Sequence, residues 1–271
     1  MRASAPAKIN LALVVGPLRH DGKHELVTVY QRIGIADRID VEPADRTRVD
    51  GFAGDTLVRD ALDRLAVHAA VEQRWHAKIE KRIPVAAGLG GGSSDAATAL
   101  RLANESLDEP LPHAELHDVA ADLGADVPFF LVDGPRLGSG DGTTLAPLDL
   151  PQDFWILLVV PKNTHKASTA SIYAAFDERD GADGWDDRRA ALLDALADVK
   201  RPRDLAALPR NDLASSPLAG ELTALGAFRA DVSGAGPTVY GLFHHEAQAK
   251  AAKRALRRVG RTWLTAPAWY G

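Results

Sequence analysis

The amino-acid sequence predicts an α+β fold. Strand-like and helix-like segments are both present, and they follow one another without a strict strand–helix–strand repeat. Glycine-rich turns separate several of them.

The first third reads mainly as strands. Ile9–Val15 is a short apolar run, Leu26–Ile35 is rich in Val, Tyr and Ile, and Arg38–Val41 follows after a turn. Between Thr56 and Glu72 the apolar residues Leu57, Ala61, Leu62, Leu65 and Ala69 recur at helical spacing. Trp75–Ile83 returns to alternation, with Trp75, Ala77, Ile79 and Lys81 on one side, until Pro84 ends the strand. Ser94–Leu107 reads as a helix built on Ala96, Ala97, Leu100 and Ala103. His113–Leu123 reads as another, with Gly124 placed as its left-handed C-cap. Val127–Val132 reads as an apolar strand and Gly134–Gly142 as a loop.

A stretch bearing Pro and Asp, Leu148–Asp153, places a domain boundary near residue 150, with one domain over 1–150 and a second over 151–271. The second half opens on the strand Trp155–Val160. Helices are expected near Thr169–Phe176, Asp187–Val199 and Leu218–Leu225. Strands at Ala227–Val232 and Thr238–Phe243 enclose another glycine turn, and a helix over Glu246–Val259 leads to a last strand at Arg261–Thr265.

With 271 residues the chain can bury one large core or two modest ones. A content of 46% hydrophobic and 25% charged residues is that of an ordinary globular protein. There is no cysteine, which excludes disulfides, thiolate catalysis and cysteine-ligated metals. No run of about 18 apolar residues exists to span a membrane. Lys8 and Asn10 interrupt the first apolar run, which is therefore not read as a signal peptide. The expectation is a cytoplasmic protein, and a net charge of −5 argues against a general nucleic-acid binder.

The strongest chemical signal is Pro84-Val85-Ala86-Ala87-Gly88-Leu89-Gly90-Gly91-Gly92-Ser93-Ser94. A strand leads in and a small-residue helix leads out. Glycines let backbone N–H groups approach a polyanion and adopt positive φ. The free N–H groups and positive dipole end of the following helix point to the same place. Ser93 and Ser94 add hydroxyls for phosphate or for a bound Mg²⁺. No lysine follows the glycines, so this is not a Walker loop, and the spacing is not that of a dinucleotide-binding G-x-G-x-x-G. A glycine cluster alone would also serve as a tight helix-packing turn; the flanking strand, serines and helix favour phosphate.

Three weaker signals have ordinary structural readings. His113 and His117 stand at i and i+4 without a third metal ligand and read as a surface helix. Lys250, Lys253, Arg254, Arg257 and Arg258 form a basic stripe opposite Ala252, Ala255, Leu256 and Val259, the solvated face of an amphipathic helix. Gly138-Ser139-Gly140-Asp141-Gly142 fits a hairpin turn as well as a substrate-site loop.

Pro84–Ala97 resembles the phosphate loop of the GHMP kinase superfamily. Further segments resemble one family within it, the 4-diphosphocytidyl-2-C-methyl-D-erythritol kinases: Ala5-Pro6-Ala7-Lys8-Ile9-Asn10-Leu11, Asp21-Gly22-Lys23-His24-Glu25-Leu26, Gly124-Ala125-Asp126-Val127-Pro128-Phe129-Phe130, Asn211-Asp212-Leu213 and Ser233–Phe243. They occur in family order over nearly the whole chain.

The resemblance implies a two-lobed fold, with an α+β nucleotide-binding lobe, a smaller ferredoxin-like C-terminal lobe and the active site in the cleft between them. It implies ATP-dependent phosphorylation of the 2-hydroxyl of a cytidine diphosphate alcohol in non-mevalonate isoprenoid synthesis. ATP and Mg²⁺ would be required, with Ser94 a candidate Mg²⁺ ligand, and the chain would act as a monomer or homodimer.

On its own Asp126 could cap the next element as readily as position and deprotonate a hydroxyl, and Lys8 could be a solvated lysine. The resemblance places both in the catalytic centre, Lys8 to offset charge on the transferring group. It also implies that Asn10 bonds the substrate, that His24 bonds the cytosine, and that Thr169 and Tyr173, in Ser168–Tyr173, lie against the substrate with the tyrosine ring stacked on the base. The sequence departs from the family pattern at three places. Lys23 stands where a second tyrosine wall is usual, and is expected to face the base or the diphosphate. Thr56 replaces an Asn near the adenine. Asn163-Thr164-His165-Lys166 is more polar than usual. Two other readings are a sister kinase acting on a different alcohol and a nucleotide-binding sensor without catalysis; retention of Lys8 and Asp126 speaks against the sensor.

Overall fold

The structure is a computed structural model and describes residues 1–52, 54, 56–162 and 168–268. The polar segment 163–166 noted above lies outside the described residues.

Two sheets carry the fold. The first draws on β1 (Arg2–Leu18), β2 (His24–Ala44), β3 (Arg48–Asp50), β4 (Arg74–Glu80), β5 (Arg136–Gly140) and β6 (Thr144–Pro147). Its order is β3-β4-β2-β5-β6, with β1 also paired to β2. The second, β10-β7-β9-β8, is antiparallel throughout and uses β7 (Trp155–Pro161), β8 (Arg229–Val232), β9 (Val239–Phe243) and β10 (Gly260–Thr265).

The expected turn between Leu26–Ile35 and Arg38–Val41 is absent. Both belong to the single 21-residue strand β2. Against β1 its register jumps from Pro6↔Ala36 to Ala7↔Ile33, a bulge placed where Pro6 has no N–H to give the ladder. Gly34, freed from the β1 register, donates instead to the Ala266 carbonyl at 3.0 Å.

The helices α1 (Leu57–His68), α2 (Gly91–Glu105) and α3 (His113–Leu123) cover one face of the first sheet. Their small and aliphatic side chains, Ala96, Ala99 and Leu100 of α2 among them, pack on Ile39, Trp75, Ala77 and Ile79. The other face of this sheet lies against the second: Ile9, Leu11 and Val29 share a core with Ile156, Leu158, Tyr240 and Leu242. β1 is therefore buried on both sides from Ala5 to Gly16, which explains why its residues there are small or apolar apart from Lys8 and Asn10. The outer face of the second sheet is closed by α6 (Pro217–Ala224) and α7 (Glu246–Leu256), while α4 (Thr169–Asp177) and α5 (Trp185–Ala197) lie toward β1 and the start of β2. The α+β expectation holds.

Four local expectations change. α2 begins at Gly91 rather than Ser94, so glycines form its first turn. Gly124 is extended (φ 160°, ψ 152°) rather than left-handed. The apolar segment after Asp126 is a 3-10 turn, Pro128–Leu131, because Pro128 has no N–H for a sheet ladder and its fixed φ suits a helix start. The glycine stretch 134–142 is not simply a loop: Arg136–Gly140 is β5, hydrogen-bonded to both β2 and β6, and residues 141–143 are the hairpin turn. No helix among the described residues is long and apolar enough to cross a membrane.

Candidate active site

β1, β2, the glycine loop and α4 surround a cavity of about 930 Å³. At one end, β1 places Lys8 and Asn10 two residues apart on the same face. Lys8 Nζ donates to Asn10 Oδ1 at 2.8 Å, and Asn10 Nδ2 donates to Thr28 Oγ at 2.7 Å. The threonine hydroxyl spends its own proton on the Ala12 carbonyl at 2.8 Å, so it must accept from the amide. That polarity turns Asn10 Oδ1 toward the lysine. Asn10 borders the cavity as expected; one bond at each end of its amide orients Lys8, and a second lone pair on Oδ1 and a second hydrogen on Nδ2 remain.

Asp126 lies 3.1 Å from Lys8 Nζ through Oδ2. The lysine side chain is 4% exposed and the aspartate 33%, so the cation is sealed behind the carboxylate and the carboxylate faces the cavity. Tyr30 completes the group. It is the cross-strand partner of Asn10, and Lys8 Nζ stands 5.3 Å from its ring centre. Burial first, and then the neighbouring Asp126 carboxylate, push its phenol well above the ordinary value, so it remains a protonated hydroxyl beside the carboxylate.

The loop Pro84–Ser93 forms the adjacent wall. Gly90 is the left-handed N-cap of α2 at φ 68°. A Cβ there would come within 3.0 Å of Lys8 Cγ and of the Phe130 ring, so the glycine lets the loop lie on the lysine. At Gly88, φ 77°, a Cβ would strike the carbonyl oxygens of Ser233 and Gly236 at 2.6 and 2.7 Å. The second glycine turn packs directly on the first and holds it with Ser233 Oγ to Gly88 O (3.0 Å) and Thr238 Oγ to Ala87 O (2.6 Å). From below, Lys81 Nζ bridges two fully buried carboxylates, Asp37 at 2.5 Å and Asp95 at 2.7 Å. Asp37 also accepts the backbone N–H of Ile83 at 2.8 Å. The entry to the loop and the first turn of α2 are thus tied together.

Ser93 borders the cavity but Ser94 does not. Ser94 is fully buried, and its hydroxyl has no hydrogen-bond partner among the described residues. The expectation that Ser94 lines the phosphate site is corrected: with α2 beginning at Gly91, position 94 turns inward. No group of three His, Asp or Glu side chains among the described residues could hold a metal by itself. The groups present suit an ion carried mainly by the nucleotide phosphates, with Asp126 and the Ser93 hydroxyl as protein neighbours.

At the other end stand Lys23, His24, Thr169 and Tyr173, all bordering the cavity. Lys23 does not present a free cation to it. Its ammonium pairs with Asp141, in the β5–β6 turn, at 2.5 Å. Burial would raise the Asp141 carboxyl, but hydrogen bonds from Lys23 and Thr143 outweigh it and bring the carboxyl down to about 2. His24 and Tyr173 stack directly, ring centres 4.9 Å apart at 23°. Burial pushes the Tyr173 phenol up to about 12. Thr56, the position departing from the family near the adenine, borders the cavity by the loop.

The sequence matches the family described as GHMP kinases N terminal domain over residues 56–134, and that described as GHMP kinases C terminal over residues 211–262. A 4-diphosphocytidyl-2-C-methyl-D-erythritol kinase of Geobacter sulfurreducens is 36% identical, with 97% of this chain and 96% of the relative covered. The chain belongs to the 4-diphosphocytidyl-2-C-methyl-D-erythritol kinase family. An Anaeromyxobacter member is 38% identical over 96% of this chain and 86% of its own. A crystal structure of a 4-(cytidine 5'-diphospho)-2C-methyl-D-erythritol kinase superposes with a TM-score of 0.79 at 32% identity, covering 99% of both chains. A mevalonate kinase shares the fold at 13% identity, with a TM-score of 0.72 and 98% and 99% covered.

Relative to this family, the residues whose roles sequence reasoning passed over are Thr28, Tyr30, Asp141, read there only within a glycine turn or substrate-site loop, and Asp177. The first two could have been found from the pairing of β1 with β2, which sets Asn10 opposite Tyr30. The last two act through contacts 118 and 153 residues away in the chain, to which no local pattern points.

Proposed function

We propose that the chain transfers the γ-phosphoryl group of ATP to the 2-hydroxyl of 4-diphosphocytidyl-2-C-methyl-D-erythritol. The observation that carries this is the 3.1 Å pair of Lys8 and Asp126, set beside the glycine loop at one end of the cavity. The loop and the α2 N-terminus hold the triphosphate with backbone N–H groups. Asp126 accepts a hydrogen bond from the substrate hydroxyl and orients it toward the γ-phosphorus. As the new O–P bond forms, the bond to the β-phosphate bridging oxygen breaks, the proton passes to Asp126, and ADP leaves. Lys8, paired with Asp126, offsets charge on the transferring group. Mg²⁺, when bound with the nucleotide, supplies further charge neutralisation at the phosphates.

The substrate's cytidyl end lies at His24, Tyr173 and Thr169. The division near residue 150 assigns the nucleotide loop to the first domain and the α4 contacts to the second, and the reaction belongs to the cytoplasm, where ATP is supplied. The test is ADP release measured with the cytidyl substrate, with methylerythritol phosphate lacking the base, and with mevalonate and homoserine. Turnover is expected with the cytidyl compound; turnover with another alcohol and none with the cytidyl compound would replace this reading by the sister-kinase one.

A further inference from the structure

Helix α4 presents three side chains to a single imidazole. Tyr173, Phe176 and Asp177 stand at i, i+3 and i+4, hence on one face, and all meet His24 at the start of β2. Tyr173 stacks on the ring, Phe176 meets it edge-on at 5.8 Å and 89°, and Asp177 Oδ1 lies 2.7 Å from Nε2. The histidine side chain is 6% exposed and the aspartate 52%. The ring is clamped, and the carboxylate closes it from the solvent side.

A carboxylate can only accept, so Nε2 carries the proton of this bond. In the neutral imidazole the other nitrogen, Nδ1, is then a bare acceptor. Among the described residues no protein group bonds Nδ1, and the ring borders the cavity.

We infer that Asp177 is the positioning residue for base choice: by holding Nε2–H it fixes His24 Nδ1 as an acceptor, which selects a base bearing an exocyclic amine over one bearing a carbonyl at the same edge. The inference rests on the proposed reading that the cytidyl end of the substrate lies at His24. Cytosine offers an amine where uracil offers a carbonyl. An acceptor locked in place pairs with the first and opposes the lone pairs of the second. Lys23 cannot take over this discrimination, because an ammonium only donates and offers no acceptor to an exocyclic amine. Asp177 thus reads the base through the histidine without touching it, as an outer carboxylate fixes the tautomer of a metal-bound histidine.

The test compares the cytidyl substrate with its uridyl analogue in the wild type, Asp177→Asn and Asp177→Glu, and follows His24 by ¹⁵N NMR. An asparagine can donate to Nε2 through its amide and so admit the opposite tautomer. Asp177→Asn is expected to lower the cytidyl-to-uridyl ratio of kcat/KM by about tenfold or more, the scale for loss of a specifying hydrogen bond. The change should lie in KM, with kcat on the cytidyl substrate nearly level, and Asp177→Glu should recover most of the ratio. The NMR spectrum should show His24 protonated at Nε2 alone in the wild type. A ratio unchanged in Asp177→Asn, or a wild-type histidine carrying its proton at Nδ1, overturns the inference; the second outcome needs no variant to fold. A wild type that ignores the cytidyl compound altogether would instead sink the functional reading, and this inference with it.

Discussion

The two ends of the cavity are built differently. At the transfer end, Lys8, Asn10, Thr28 and Tyr30 come from two adjacent strands buried between α2 and the second sheet, and the glycine loop is pinned by backbone-directed bonds from Ser233 and Thr238. At the base end, Lys23–Asp141 and His24–Asp177 join exposed turns and a helix far apart in the chain. A buried sheet with locked register leaves its side chains little freedom, which suits a reaction sensitive to small displacements. Partly exposed ion pairs contribute little stability, so a rim built from them can change residue without disturbing the strands beneath. The departure at Lys23 falls on this rim, while Lys8 and Asp126, in the buried strands and the turn beside them, match the family motifs.

The sharpest break of this comparison is at Asp126. Asp126→Asn should reduce turnover by about a hundredfold or more, the scale of general-base removal, with little change in ATP affinity measured by calorimetry. Near-normal turnover would take the transfer chemistry away from this end. A smaller effect is expected at Gly90. An added Cβ meets Lys8 and Phe130 at 3.0 Å and strains a φ of 68°, so Gly90→Ala should displace the lysine and cut kcat roughly tenfold. A variant that lost nucleotide affinity and kept kcat would show that the glycine serves the phosphates alone. Gly91 makes a useful contrast: its Cβ would meet Ile83 at 3.2 Å, so the effect of Gly91→Val belongs to loop packing rather than to the lysine.

At the base end the effects should be confined to binding. Lys23→Tyr should leave kcat level and keep or lower KM for the cytidyl substrate, because an aromatic wall adds about 1–3 kcal/mol of base stacking while the displaced ammonium was already paired with Asp141. A large fall in kcat would mean the two ends are coupled after all.

The smallest effect is a titration. The Asp141 carboxyl is depressed to about 2, so what the Lys23 pair contributes to the folded state is fully present above the unfolded value near 3.8 and is lost only as pH falls toward 2. Followed by NMR, the Asp141 carboxyl should titrate near 2 in the wild type and nearer its ordinary range in Lys23→Ala. Titration at the ordinary value in both would dissolve the pair.

Periodicity and glycine chemistry were enough to read α1, α3, β7 and the strand–glycine–helix phosphate loop, because each depends on residues within one short window. The order of the motifs was enough to bring Lys8 and Asp126 to one centre. The remainder depends on partners distant in the chain. Whether 26–41 is two strands or one was decided by β1, β4 and β5 pairing along it, and the apolar run at 127–132 became a 3-10 turn through Pro128 rather than joining a sheet. Asn10 looks in sequence like a substrate contact, and only Thr28, 18 residues on, shows that its amide also orients Lys8. Lys23 looks like a free cation until Asp141 is brought across the rim, and Asp177 looks like an unremarked helix-end carboxylate until β2 carries His24 to within 2.7 Å of it. Local composition sets which groups a segment offers; hydrogen-bond and ion-pair partners are chosen by packing, and packing exists only once the two sheets have closed on each other.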